Sequence, residues 1–399
     1  MRKYAVISIL LINMLLPGCW DAREINELGL VMAVGVDKSE NEKGGYRVSV
    51  QIAKPSDAAG GGPMGGGGGG SPVWVGAADG QTIFDAIRNV AKFSSRRVMW
   101  AHNNVIIIGE GLAQEGITPI VDFFSHNPEL RMKTWVAVTR GKAEGLIGTN
   151  TGIEKIPGIS IARLYLYGEL PARSIKTDMV SLLRDYKSET IQPLLSELRL
   201  ITPAESGTGS NQIELEGGAV FKKDKLVGFL SAEEARGLDW MRGEARSSII
   251  TVFLTGTGEK AISVELRRIK VKVTPDWDGQ KAKFNINFKA EGSITEQDGP
   301  LQADIDAFKS EVQKAVNDRV KRNLKTTIKA VQTDFNSDVV GFGRTFHIKY
   351  KDLWNKGLGK RWPELYSNAV ITFSSDVKIN TSTLFQEPIY EEKIEGEQD

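Results

Sequence analysis

The chain has 399 residues, with 51 Lys+Arg against 50 Asp+Glu, a net charge of +1 and a hydrophobic fraction of 41%. Such a composition excludes global disorder, and without a basic surplus no nucleic-acid binder is expected. At roughly 100–200 residues per domain the length implies about two or three domains. A single Cys beside 3 His excludes an intramolecular disulfide and a cysteine-rich metal site.

The N-terminus reads Met1-Arg2-Lys3, then an apolar run from Tyr4 to Leu16. A short positive region before such a run is a secretion signal, and the run is too short to span about 30 Å of hydrocarbon. It ends in Leu16-Pro17-Gly18-Cys19, the form of a bacterial lipobox, in which the cysteine is lipidated and becomes residue one. Lipidation of Cys19 and removal of residues 1–18 are therefore expected. Cleavage discards Arg2 and Lys3 and turns the net charge from +1 into −1. Trp20 would then stand at the membrane interface.

In the mature chain, Leu28 to Val36 is a dense apolar run that predicts a buried strand, and Tyr46 to Ile52 alternates as a half-buried strand does. Gly60 to Ser71 is almost all glycine and reads as a flexible loop rather than a phosphate cradle, because a strand, not a helix, follows it. Helical spacing marks 82–93 and 117–124, apolar strands 104–109 and 133–139, and a short helix reaches Ile147. This alternation predicts a mixed α/β layer over 19–201. A helix at 179–186 has Thr177 or Asp178 as its cap, and 194–202 reads as strand or helix. The polar stretch Thr202 to Asn211 marks a domain boundary or a hairpin loop.

A hairpin around Lys222–Lys225, a helix at 232–240 and strands near 248–255, 261–274 and 282–294 make up a second region, 212–295. In the middle strand Ile269, Val271 and Val273 alternate with Arg268, Lys270 and Lys272. From Leu301 to Phe335 apolar residues step by threes and fours, a single stripe on a long amphipathic helix. That helix and a strand at 368–379 form a last region, 296–380, and 381–399 is a polar tail. The expected fold is α+β: three mixed domains, largely antiparallel or mixed sheets packed by helices, and one long helix near the C-terminus.

No catalytic, metal or cofactor constellation stands out. His102, His126 and His347 lack metal-ligand spacing, no G-x-S-x-G elbow occurs, and Thr255–Lys260 lacks the G-K-[ST] of a P-loop. Lys349, Lys351, Lys356, Lys360 and Arg361 interleave with Tyr350, Trp354 and Trp362. The tryptophans read as core anchors with the lysines on the wet face, against a lipid- or nucleic-acid-binding patch.

Cys19-Trp20-Asp21-Ala22-Arg23-Glu24-Ile25-Asn26-Glu27-Leu28, continuing to Val34-Gly35-Val36-Asp37, resembles the Ger(x)C family, the C subunits of nutrient germinant receptors in endospore-forming bacteria. Asp338-Val339-Val340-Gly341-Phe342-Gly343, with His347, Tyr350, Trp354 and Trp362-Pro363, is similar to the family's second signature. The glycine-rich run and the ending Asn380-Thr381-Ser382 depart from it. The resemblance implies a non-enzymatic lipoprotein on the outer face of the inner spore membrane, three α+β domains, and partnership with A-type and B-type receptor subunits. Trp20, Asp21, Glu24 and Asn26 are then membrane-proximal contact candidates. Gly341-Phe342-Gly343 is expected as a tight turn after the long helix. The residues alone leave a second reading, an extracytoplasmic lipoprotein that binds a solute or cell-wall ligand.

Overall fold

The computed structural model describes residues 27–41, 44–54, 71–149, 153–167, 173–255, 259–297 and 305–380. In chain order the first elements are β1 (Leu28–Lys38), β2 (Tyr46–Ala53), β3 (Val73–Gly80), α1 (Ile83–Ala91), β4 (Arg97–Met99), β5 (Val105–Gly109), α2 (Glu110–Glu115) and α3 (Thr118–His126). Next come β6 (Trp135–Thr139), α4 (Ala143–Ile147), α5 (Pro157–Tyr167), α6 (Met179–Tyr186), β7 (Leu194–Ile201), α7 (Pro203–Ser206), β8 (Gln212–Leu215), β9 (Gly218–Lys222), β10 (Lys225–Leu230) and α8 (Ala232–Arg242). The chain ends in β11 (Ser247–Thr255), β12 (Glu259–Trp277), β13 (Ala282–Gln297), α9 (Ile305–Ile328), α10 (Phe342–Lys349), α11 (Trp362–Ser367) and β14 (Val370–Asn380).

The fold is α+β, built on two mixed sheets. The first runs β10-β9-β7-β6-β5-β1-β2-β3, with β4 on β1 and β8 on β7. Its centre is parallel: Val34 pairs with Ile106, Ile106 with Val136, and Ala137 with Ser196. Its two ends are antiparallel hairpins. Parallel central strands are covered on both faces, so Val105–Ile108 reads as a continuous apolar run and is wholly buried. The ambiguous stretch 194–202 is a strand because β6 and β9 flank it and bury Leu194 and Leu195. Thr202–Asn211 is the loop of the β7–β8 hairpin and carries the one-turn α7. Asp178, rather than Thr177, caps α6 by accepting from Ser181 N at 2.8 Å.

Sequence patterning missed α5. Its buried residues are Pro157, Gly158, Ile161 and Tyr165, and Gly158 sits against the backbone of β1, where a Cβ would come 2.6 Å from Met32 O. A helix that opens on Pro-Gly and approaches a strand this closely has little propensity of its own.

The second sheet runs β11-β12-β13-β14, with β14 parallel to β13. In β12 the buried residues are first Ile262, Val264 and Leu266. The register then slips between Arg267 and Lys270, with Arg268 at φ 52°. One extra residue exchanges the faces of a strand. After the bulge Ile269, Val271 and Val273 pack against the core instead.

The long helix α9 lays Phe308, Val312, Val316, Val320, Leu324 and Ile328 onto this sheet. The regular α-helix ends at Ile328, and Lys329–Asp334 winds on as a π-helical turn. Asn317 of α9 reaches the outer edge of β14: its Oδ1 accepts from Val377 N at 2.9 Å and Ser375 Oγ at 2.7 Å, and its Nδ2 donates to Val377 O at 3.3 Å. Gln313 Oε1 accepts from Ile379 N at 3.2 Å. Two amide side chains thus pair with the strand edge as a further strand would.

Ile175, Leu194, Val220 and Leu230 around the first sheet belong to the same hydrophobic cluster as Trp240, Phe284, Phe288 and Val316. The two sheets therefore share a core where α8 lies between them.

Candidate functional site

Cys19, Trp20, Asp21, Glu24 and Asn26 lie outside the described residues. The end of the first signature stretch and the whole of the second are in place; the first ends on a buried aspartate and the second begins on one.

The first is Asp37, near the end of β1 and 3% exposed. Its Oδ1 accepts from Ala143 N at 2.8 Å and its Oδ2 from Glu144 N at 3.0 Å, so it caps α4 from 106 positions away in the chain. Burial pushes its carboxyl up, and the two amide donors oppose that. Gly35 and Gly109 make room: a Cβ on Gly109 would lie 2.0 Å from Asp37 Oδ1, and one on Gly35 2.5 Å from Ser49 Oγ. Outside this cap, Arg47 Nε and Nη2 bind the two oxygens of Glu144 at 2.6 and 3.0 Å, and Arg47 Nη1 reaches Asp79 at 3.1 Å. The Arg47 pair holds the Glu144 carboxyl below its usual range.

The second is Asp338, 4% exposed. Gly341 N and Phe342 N donate to its Oδ1 at 2.9 Å each. Gly343 N donates to its Oδ2 at 2.7 Å and the Trp362 indole N–H at 3.0 Å. Gly341 at φ 90° turns the amides inward, a conformation that favours glycine. At Gly343 a Cβ would come 2.6 Å from Trp362 Nε1 and 2.8 Å from Thr190 O. Asp338-x-x-Gly-Phe-Gly is thus a carboxylate enclosed by the turn that opens α10 and by a tryptophan 24 residues on. Burial raises its carboxyl, and the four donors favour the ionised form against that.

This turn joins the two sheets. Asp338 O accepts from Gln192 N at 3.0 Å, and Ser337 Oγ donates to Phe221 O at 2.5 Å. Arg242, at the end of α8, donates to Val339 O at 3.0 Å and to Asp185 Oδ2 of α6 at 3.1 Å. Sequence reasoning found the turn but missed Asp185, Arg242 and Gln192, which carry no local pattern. Three residues before Arg242 on α8, Asp239 is 9% exposed and its carboxyl is pushed up to about 7, first by burial and then by Glu244.

The aromatic residues of the second signature converge. Trp362 lies 5.5 Å from both Phe346 and Trp354 between ring centroids, and His347 stacks on Trp354 at 5.0 Å. Trp354 and Trp362 are buried, Lys351, Lys356, Lys360 and Arg361 are exposed, and Lys349 donates to Pro275 O at 2.6 Å. The tryptophans anchor a core and the cations are its solvated side. Among the described residues no group of three or more His, Cys, Asp or Glu is placed to hold a metal. No described helix is long and apolar enough to cross a membrane.

Two family models match in tandem: "Spore germination protein N-terminal domain" over residues 21–200 and "Spore germination B3/GerAC like, C-terminal" over residues 216–383. The chain belongs to the Ger(x)C family. Both buried aspartates lie within the matched segments. Ger(x)C relatives similar along nearly their whole length include spore germination protein KC of Bacillus subtilis (strain 168), 26% identical over 92% of each chain. The putative spore germination protein YfkR of the same organism is 29% identical over 92% of this chain and 93% of its own. The crystal structure of the GerBC protein has the same fold, with a TM-score of 0.53 at 20% identity, covering 87% of this chain and 97% of that one.

Proposed function

We propose that this Ger(x)C chain is the lipid-anchored, non-enzymatic subunit of a nutrient germinant receptor. It is held through Cys19 on the outer face of the inner spore membrane and works with A-type and B-type subunits. The observation that carries this reading is the sole cysteine. It closes a signal-like apolar run and opens directly into Trp20-Asp21 and Glu24-Ile25-Asn26, the start of the family's first signature. The tandem family matches over both halves of the chain support it. The two buried signature carboxylates support a scaffolding role: their oxygens are taken up by backbone amides, and for Asp338 by an indole as well, rather than left open to a substrate. Trp20, Asp21, Glu24 and Asn26 make the membrane-proximal contact to a partner subunit.

The test is Cys19→Ala in spores. The variant is expected to leave the membrane fraction, to stop co-purifying with A-type and B-type subunits and to slow nutrient-triggered germination. A variant that remains membrane-bound and normally processed would overturn the anchor. Normal germination in spores lacking every paralogous receptor would overturn the receptor role.

A further inference from the structure

β1, β5 and β6 are parallel, so their N-terminal ends share one edge of the first sheet. β4 lies there beside the start of β1, and β2, being antiparallel, ends there at Ala53. The chain also enters at this edge: Glu27 precedes β1, and Cys19 is eight residues upstream. At no more than about 3.6 Å per residue, a lipid on Cys19 keeps this edge within roughly 29 Å of its bilayer attachment.

The two edges differ in charge pairing. At the opposite edge the cations are matched: Lys38 pairs with Glu115, Arg47 with Glu144 and Asp79, and Lys142 with Glu40. The N-terminal edge carries Lys54, Arg96, Arg97, His102, Arg131 and Lys133. None of them forms an ion pair among the described residues. A cavity of about 330 Å³ opens at this edge between the loops that precede β5 and β6. His102, Arg131 and Lys133 line it, no carboxylate among the described residues does, and the one acidic residue of the 127–134 loop, Glu129, lies outside the lining.

Asn103 also lines the cavity. It is 3% exposed, and among the described residues neither its Nδ2 nor its Oδ1 has a hydrogen-bond partner. Its backbone is satisfied, with N donating to Trp100 O at 2.9 Å and O accepting from Thr134 Oγ1 at 3.2 Å. A buried amide with both ends unpaired costs stability unless a bound water or a ligand pairs it. The ligand that fits is an anion for the cations and a neighbouring hydroxyl for the amide, which can both donate to it and accept from it.

We propose that this edge docks the headgroup of an anionic, hydroxyl-bearing phospholipid, with the phosphate on Arg131, Lys133 and His102 and the hydroxyl on Asn103. At the same edge, Met132 between Arg131 and Lys133 and Phe93, which lines a separate cavity with Lys54 and Arg96, are 38% and 55% exposed and present apolar surface to the bilayer interface. The headgroup fixes which edge faces the membrane, which a lipid on Cys19 alone does not. The choice of a lipid as the source rests on the Cys19 anchor reading; the cavity chemistry does not.

The test uses the unlipidated mature chain (residues 19–399 with Cys19→Ser) and vesicles of phosphatidylcholine alone or mixed with phosphatidylglycerol or phosphatidylserine. The chain is expected to sediment with the anionic vesicles and not with the neutral ones, to prefer phosphatidylglycerol at equal charge, and to be released by salt. Replacing both Arg131 and Lys133 by Ala is expected to weaken partitioning roughly 25-fold, at about fivefold per cation. Asn103→Ala is expected to keep vesicle binding and lose the phosphatidylglycerol preference, with near-ultraviolet circular dichroism checking its fold. If that variant does not fold, parity of the two anionic lipids for the parent chain still overturns the hydroxyl assignment. Absence of vesicle binding, or binding unchanged in the Arg131/Lys133 variant, overturns the docking surface. Displacement from vesicles by equimolar glycerol 3-phosphate overturns the lipid as source in favour of a soluble phosphate. Because this chain carries no lipid, these outcomes are independent of whether Cys19→Ala leaves the membrane in spores.

Discussion

Asp37 and Asp338 solve the same problem in two settings. Each is a buried carboxylate at one end of a signature stretch and takes up backbone amides at the start of a short helix. Asp37 does so inside the layer of the first sheet, with two amides, beneath a partly exposed Arg47–Glu144–Asp79 cluster. Asp338 does so between the sheets, with three amides and an indole, and its own carbonyl receives Gln192 N. The same chemistry therefore fixes a local corner in one place and a long-range junction in the other. The contrast predicts how each fails.

The largest effect is expected at Asp338. Asp338→Ala leaves four buried donors unpaired and costs about 4 kcal/mol, at 1–3 kcal/mol per strongly unsatisfied group with partial relaxation. Chemical denaturation is expected to show the loss, with both sheets unfolding earlier together; separate transitions would break the idea of a shared junction. Asp37→Ala leaves two donors and costs about 2 kcal/mol. Hydrogen exchange is expected to quicken around Ala143–Ile147 and to leave the 338–343 turn protected.

Asp239 sharpens the comparison with the opposite sign. It lies on α8 near the junction without an amide cage, and its folded carboxyl is pushed up to about 7. The folded chain therefore holds this proton more tightly than the unfolded chain. The stabilisation is complete below about pH 4 and is lost as pH rises towards about 7. Asp239→Asn is expected to flatten that fall and to raise stability by about 1.5 kcal/mol at pH 8, measured as midpoints across pH. The smallest effect is expected at Glu144→Gln, which removes a partly exposed ion pair but keeps the backbone amide that Asp37 uses. The cost is under about 1 kcal/mol and shrinks in high salt.

How much of this was legible in the sequence follows from range. Strands with clean alternation and the stripe of α9 announced themselves, because neighbours three or four residues apart decide them. The cap on α6 was narrowed to Thr177 or Asp178 for the same reason. The partners of β7 were not legible: it pairs with β6 in parallel and with β9 in antiparallel, and no local signal encodes either. Nor was the face exchange in β12, since only the bulge at Arg268 reconciles Ile262, Val264 and Leu266 with the odd-numbered residues that follow. At the two signatures the glycines were visible and their reason was not. Gly35 and Gly343 are small because Ser49 and Trp362, distant in sequence, occupy the space a Cβ would take.

The amide side chains of Asn317 and Gln313 against β14 have a consequence for crowding. On the lipid anchor proposed above, copies would share a plane, where local concentration is high and an open strand edge invites another chain to add itself. With Val377 and Ile379 already engaged by a helix of their own chain, the C-terminal stretch of one border of the second sheet is closed to such zippering. Neighbouring copies can then press together at that stretch of the border without merging their sheets.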